Sequence, residues 1–402
     1  MKIRSITYFF NPGFPLDDAK LRAADDFLRK AKTAYQNAGY EVQTTRLSTP
    51  SFTQILGKDQ LDKTPALAHQ LASAMERMDA EYASLGPALP NFPRSYEIIP
   101  EAVAASENIF FSGEMASAKD GISLKAIKAC ADVIVKSATI EANGFANLRF
   151  TALANVPAGG PFFPAAYAYH DSDQPAFALA LEAADLAVDA FGGQGTVDGG
   201  RKKLIASFET HGKKLTKIAE SLNLNFLGLD FSLAPFPDDA ISLGGAMENF
   251  GVPKVGMHGS LAAAAILAES IQKADFLHTG FNGMMMPVLE DLILAKRAAG
   301  GSLTVKDLLL YSAVCGTGLD TVPLAGDVSV EQIAALLLDV SAMSLRLAKP
   351  LTARLMPIPG KQAGDKSEFD FAFFANSRVM RLESEGLQNP FAGDEIIQIE
   401  AR

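Results

Sequence analysis

The run Cys315-Gly316-Thr317-Gly318-Leu319-Asp320 is where this sequence most invites chemistry. A thiol becomes a nucleophile when a cation or a helix terminus lowers its pKa, and Asp320 or the later Asp327 could serve beside it as acid, base or metal ligand. The intervening glycines would let backbone N–H groups come close to an anion. Residues 308–314, just before, read as an apolar strand, and in open α/β folds ligands bind beyond the carboxyl ends of strands. The competing reading is a tight turn that needs glycine for its backbone angles and cysteine only for its size.

A second signal lies in 226–235. Strand alternation puts Leu227, Leu229, Phe231 and Leu233 on one face, with Gly228, Asp230, Ser232 and Ala234 on the other. Asp230, buried there without a partner, would be costly, so it should meet a cation, a metal or a ligand. Arg46, Arg149, Arg354 and Glu114 also fall in expected strands. If these side chains converge, the guanidiniums outnumber the carboxylates and favour an anionic substrate such as a carboxylate or phosphate. The alternative for each is structural ion pairing or exposure at a strand end. In 158–167, Pro161, Phe162, Phe163 and Pro164 suit a pocket rim or lid, and equally a loop plugging the sheet. Met284 to Met286 have the same two readings.

Several generic sites are absent from the sequence. The glycine-rich stretch 192–200 lacks the Gly-Lys-Ser/Thr ending of a phosphate loop, and no dinucleotide or zinc signature occurs. A hard divalent ion on carboxylates remains compatible, and no cofactor is named. His211 fits a gap in a helical apolar stripe, and Cys130 lies between Ile127 and Ile134 on another, so both read as packed residues.

Elements that could position these groups alternate along the chain. Strands are expected over 3–10, 40–47, 108–115, 148–156, 226–235, 308–314 and 351–358. Helices are expected over 18–38, 66–85, 122–136, 175–191, 202–222, 261–273, 287–299 and 330–349, with a proline-rich surface connection over 86–100. Strands separated by helices imply crossovers and a mainly parallel sheet. Length alone allows two or three domains, but no boundary is visible and a single domain over 1–402 is expected.

Lys and Arg number 36 against 46 Asp and Glu, a net charge of −10, which argues against nucleic acid or an anionic membrane as partner. The longest aliphatic stretch, 261–268, is far short of the ~20 residues of a membrane span. It could pack against a second copy, and burial within the chain explains it equally well. Two cysteines cannot build a disulfide framework, so a soluble cytoplasmic protein is expected.

The strings Gly228-Leu-Asp-Phe-Ser-Leu-Ala-Pro235, Gly160-Pro-Phe-Phe-Pro-Ala-Ala-Tyr167, the 315–327 run and Leu351-Thr-Ala-Arg-Leu-Met-Pro-Ile-Pro-Gly-Lys-Gln-Ala-Gly-Asp365 occur in an order that resembles the domain-of-unknown-function 711 family. Ala325 stands where that resemblance leads one to expect proline. The resemblance implies an α/β, barrel-like sheet of about ten strands with outer helices, similar to the pyruvate formate-lyase-like fold, and it implies no substrate. The radical-bearing glycine of glycyl radical enzymes has no counterpart, because Arg378-Val379-Met380 continues with Arg381. The resulting expectation is an enzyme acting on a small anionic metabolite inside the barrel. Cys315, Asp230 and Asp320 are its catalytic candidates, and Arg46, Arg149, Arg354, Ser232, Gly316, Gly318, Phe162 and Phe163 its substrate-binding candidates. A non-catalytic ligand-binding or regulatory protein on the same fold is the alternative.

Overall fold

The computed structural model describes residues 1–170, 174–193 and 195–402; Gln194 of the glycine-rich stretch lies outside them. Local chemistry sets the first β-α unit. Lys2–Phe9 forms strand β1, and helix Asp18–Asn37 starts where the Asp17 side chain accepts from the Ala19 and Lys20 N–H groups at 2.8 and 3.2 Å. Leu21, Ala24, Leu28, Ala31 and Tyr35 are the face it buries, in the spacing of a helical stripe.

Ten further strands follow: β2 (Val42–Ser48), β3 (Tyr82–Ala88), β4 (Ile109–Ser117), β5 (Gly121–Ser123), β6 (Phe150–Ala154), β7 (Ala176–Glu182), β8 (Asn225–Asp230), β9 (Gly318–Ala325), β10 (Leu351–Ile358) and β11 (Ile396–Ile397). They form one sheet whose main path runs β8-β7-β1-β2-β3-β4-β6-β10-β9, with β5 and β11 attached beside β4. The five central strands are parallel. A parallel pair flanks them on each side, joined antiparallel at β1·β7 and β6·β10. The sheet is therefore mainly parallel, within a mixed α/β chain.

An irregular segment, 277–288, spans the gap between the two edge strands. Leu229 N–H donates to the Leu277 carbonyl (2.8 Å), Thr279 N–H to that of Leu229 (3.1 Å), and Val288 N–H to that of Asp320 (3.1 Å). The edges are thus covered and the sheet is barrel-like. Its two faces differ with the two-residue period of a strand. Ile6, Tyr8, Leu47, Ala83, Leu85 and Phe111 join the main core against the helices. Two smaller apolar groups, around Phe9 with Ala178 and around Phe162 with Met285, form separately. The 158–168 turn packs onto the inner face. Thr7 and Ser84 hydroxyls donate to its Pro161 and Ala166 carbonyls (3.1 and 2.7 Å), and Ala168 N–H donates to Thr49 (2.9 Å).

Several expected elements are corrected. Residues 308–314 belong to helix Val305–Cys315, and the expected loop after them is strand β9. The 66–85 helix stops at Met75, and β3 follows. The 86–100 connection is not an exposed coil: its start completes β3, and Ser95, Tyr96 and Ile99 are buried in short helices. The 175–191 helix is β7 followed by helix Ala184–Phe191, and the 287–299 helix begins only at Leu292. Among the described residues no helix is long and apolar enough to cross a membrane. The alanine-rich helix Ser260–Lys273 buries Ala263, Ala264, Leu267, Ala268 and Ile271 within the chain.

Candidate functional site

Side chains from seven strands enclose a cavity of about 510 Å³, a volume in the range of small-molecule sites. Arg4, Arg46, Tyr82, Phe110 and Thr151 come from β1, β2, β3, β4 and β6, and Asp320 and Arg354 from β9 and β10. Tyr82, Phe110 and Thr151 stand at the amino ends of their strands. A site beyond the carboxyl ends was expected, but there the 158–168 turn occupies the inner face at Thr49 and Ser84. Phe162 and Phe163 of that turn line the cavity from this side. Phe371 and Phe373 line it as well, on an irregular stretch held by a hydrogen bond from Ala375 N–H to the Leu289 carbonyl (2.6 Å).

Most charges in the wall are paired. Arg354 donates to Asp320 (2.5 Å) and to Glu290 (2.7 Å). Glu290 also receives Arg4 (2.9 Å), whose other nitrogen reaches Glu182 (3.1 Å), and Gln43 donates to the same Glu182 oxygen (2.6 Å). Arg149 is held by the carbonyls of Val103 and Ser106 and by Glu141. Burial raises the Asp320 carboxyl above its usual range although Arg354 pulls it down. Burial likewise raises Glu182 against the pull of Arg4. Burial pulls Arg354 down, but Asp320 and Glu290 carry it above its ordinary value.

Arg46 is the exception among the four arginines, and the wall also holds Glu107, an exposed carboxylate with no ion pair among the described residues. Arg46 is 8% exposed, and its Nε donates to Thr44 Oγ1 at 2.9 Å. Its guanidinium carbon lies 5.0 Å from the centre of the Phe163 ring and 5.7 Å from that of Tyr82. Among the described residues no carboxylate forms an ion pair with it. Burial, with Arg4 nearby, pushes it down to about 9, so it is still charged at neutral pH. Among the described residues its terminal nitrogens have no acceptor, and a guanidinium lining a cavity in this state can receive an anion brought in from outside.

The other expected site residues fall elsewhere. Asp230 is fully buried and outside the wall; it accepts from Ser232 N–H (3.0 Å), Ser232 Oγ (2.6 Å), Phe281 N–H (2.7 Å) and Asn282 N–H (2.9 Å). Burial raises its carboxyl and these donors oppose the rise. Asp230 and Ser232 thereby fix the 279–283 part of the bridging segment, and Phe281 beside them reaches the cavity. Cys315 is 1% exposed and also off the wall. Its sulfur is 3.5 Å from Thr317 Oγ1, and Thr317 does line the cavity. Burial pulls the Lys349 amine below its usual range, and Cys315 opposes that fall. Gly316 ends helix Val305–Cys315 in a left-handed conformation (φ 78°), and a side chain at Gly318 would strike the Thr352 backbone. Both glycines thus have backbone reasons to be there. Glu114 lies off the wall, its carboxyl raised to about 7 by burial. Asp327 is hydrogen-bonded to Gln362 at the surface (3.0 Å).

Arg4, Glu290, Glu182 and the Phe371/Phe373 pair escaped the sequence reading. Arg4 had the same signal as Arg46, a charge inside an apolar strand. Four phenylalanines within 369–374 were a readable concentration of aromatic surface. Among the described residues no group of three or more His, Cys, Asp or Glu side chains is placed to hold a metal ion.

The family model described as "Uncharacterised ACR (DUF711)" matches residues 1–376, and the chain belongs to that family. It is similar to the UPF0210 protein of Pyrobaculum arsenaticum, 31% identical over 281 residues, covering 67% of this chain and 61% of that protein. The UPF0210 proteins of Acetivibrio thermocellus (31% over 308 residues, 71% and 66%) and Ruminiclostridium cellulolyticum (30% over 319 residues, 76% and 69%) are similar as well. The match to the Pyrobaculum protein thus spans less than two thirds of its length.

Proposed function

We propose that this member of the DUF711 family is a cytoplasmic enzyme that takes a small anionic metabolite into its barrel-like sheet. Arg46 receives the anion and Asp320 provides acid/base chemistry. The observation that carries the reading is the buried Arg46 guanidinium, which lines the cavity and forms no ion pair with a carboxylate among the described residues. Arg149 and Arg354, whose charges are already matched, shape the wall, while Phe162 and Phe163 provide apolar surface. Asp320 alone among the three catalytic candidates lines the cavity, and a buried carboxyl whose pKa burial raises is suited to proton transfer. Asp230 and Cys315 then act from behind the wall, as supports. Two free, buried thiols fit a reducing compartment.

Native mass spectrometry of protein purified under mild conditions tests the binding part. Wild type should retain a small acid that Arg46→Gln has lost, and equal retention by both proteins would overturn the reading. The proton-transfer part fails if Asp320→Asn processes the retained compound as fast as wild type.

A further inference from the structure

We propose that the ligand is a monocarboxylate with a flat, apolar body, rather than a phosphate or a dicarboxylate; this rests on the anion-binding reading above and narrows its ligand class. The first argument is the count of free charge. Four arginines line the cavity, and three are engaged: Arg149 by Glu141, Arg354 by Asp320 and Glu290, and Arg4 by Glu290 and Glu182. Those three face four carboxylates, so Arg46 brings the group to neutrality, and it is the one wall guanidinium left without an ion pair among the described residues to meet a single anionic head group. A phosphate dianion or a second carboxylate would enter a desolvated space that already holds Glu290 and Asp320, and would meet repulsion without a second cation.

The geometry of that guanidinium selects the head group. Its Nε is occupied by Thr44, and Phe163 and Tyr82 lie against it. What it offers the cavity is the edge carrying the terminal nitrogens, whose N–H groups are planar and parallel. A carboxylate answers that edge with two coplanar oxygens.

The remaining wall selects the body. Phe110 packs edge-on against both Tyr82 and Phe163, with ring centres 5.5 and 5.4 Å away. Phe145, Phe371 and Phe373 form a second aromatic group, with centres 5.1 and 5.2 Å apart in succession. Phenylalanine surfaces on this scale give an aliphatic polyanion nothing to replace its water, whereas an aromatic ring gains both burial and edge-to-face contact. A cavity of about 510 Å³ leaves room for a ring and a short chain.

Calorimetric titration of the full chain with 3-phenylpropanoate, 3-phenylpropanamide, succinate and inorganic phosphate tests this. The expected result is binding of 3-phenylpropanoate at least tenfold tighter than each of the other three, with at least a tenfold loss in Arg46→Gln. Arg46→Lys keeps the charge without the planar fork; it should also lose most of the affinity, and it serves if the glutamine variant does not fold. Tighter binding of succinate or phosphate, provided Arg46→Gln abolishes it, overturns the ligand class and leaves the anion-binding reading standing. Absence of 3-phenylpropanoate binding at millimolar concentration also overturns the class. Binding that is indifferent to both Arg46 substitutions overturns class and reading together.

Discussion

Asp230 and Arg46 are both buried charges on strands of the same sheet, yet the chain treats them in opposite ways. Around Asp230 four donors converge within 3.0 Å, all supplied by residues 232 and 281–282. Around Arg46 the chain supplies one hydroxyl and two aromatic rings. A buried carboxylate saturated by fixed N–H groups is a structural fastening, because removing it would strand those donors. A buried guanidinium whose terminal nitrogens have no acceptor is a cost to the fold, and such a cost is tolerated where binding makes use of it. Burial of charge is therefore a weak pointer to function; what separates the two regions is whether the counter-group belongs to the chain.

The largest effect that would sharpen this contrast is expected at Asp230. Asp230→Ala should destabilise the protein by about 4 kcal/mol, read by denaturant unfolding, because several buried donors lose their acceptor at once. A cost below about 1 kcal/mol would break the comparison from that side. Glu290→Gln, which leaves Arg4 and Arg354 without their shared carboxylate, should cost about 3 kcal/mol by the same measurement.

Glu114 is an intermediate case, a half-buried carboxyl with no donor or ion-pair partner for its side chain among the described residues. Its folded pKa of about 7 lies above the unfolded value of 4.5, so the native state binds more protons between those values. Stability should therefore fall as pH rises from about 4.5 to 7, by up to about 3 kcal/mol from this group. Glu114→Gln should be more stable than wild type at pH 8 and no more stable at pH 4; parallel curves for the two proteins would remove Glu114 from the account.

At Arg46 the effect should be smaller and of opposite sign. Arg46→Met is expected to stabilise the ligand-free protein by about 1 kcal/mol, since an unmatched buried cation is exchanged for an apolar side chain of similar length. A clear loss of stability would mean that the fold, and not a ligand, needs the charge. The smallest effect concerns Cys315. Both thiols are buried, so alkylation at neutral pH should be slow in the native protein and complete for two cysteines once it is unfolded. Rapid native labelling of Cys315 would place it nearer the cavity solvent than its 1% exposure indicates.

The elements that sequence placed well have strong local signals, and the misplaced ones show where local signals conflict. Helix Asp18–Asn37 has its cap, its stripe and its stop within one window. Residues 308–314 suggest a strand in the sequence because a short apolar run looks alike in a strand and a buried helix. The deciding clue was nearby: Thr304 and Asp307 form a capping box that starts helix Val305–Cys315. β7, Ala176–Glu182, is rich in Ala and Leu and reads as helix; its place between β1 and β8 overrode that propensity. β3 was hidden by Gly86 and Pro87, which lie where its register with β4 shifts.

Sequence by itself determined much of the alternating β-α order, the family, and the presence of arginines within strands. Only the tertiary structure decided which charges are spent on one another. Arg4 and Glu290 are 286 residues apart, Arg354 and Glu290 64, and Arg46 has no such partner among the described residues. Pairing of this kind depends on which strands become neighbours and which face each residue presents. A single sequence carries residue type and local period, but those contacts arise only when the sheet curls and its edges are bridged.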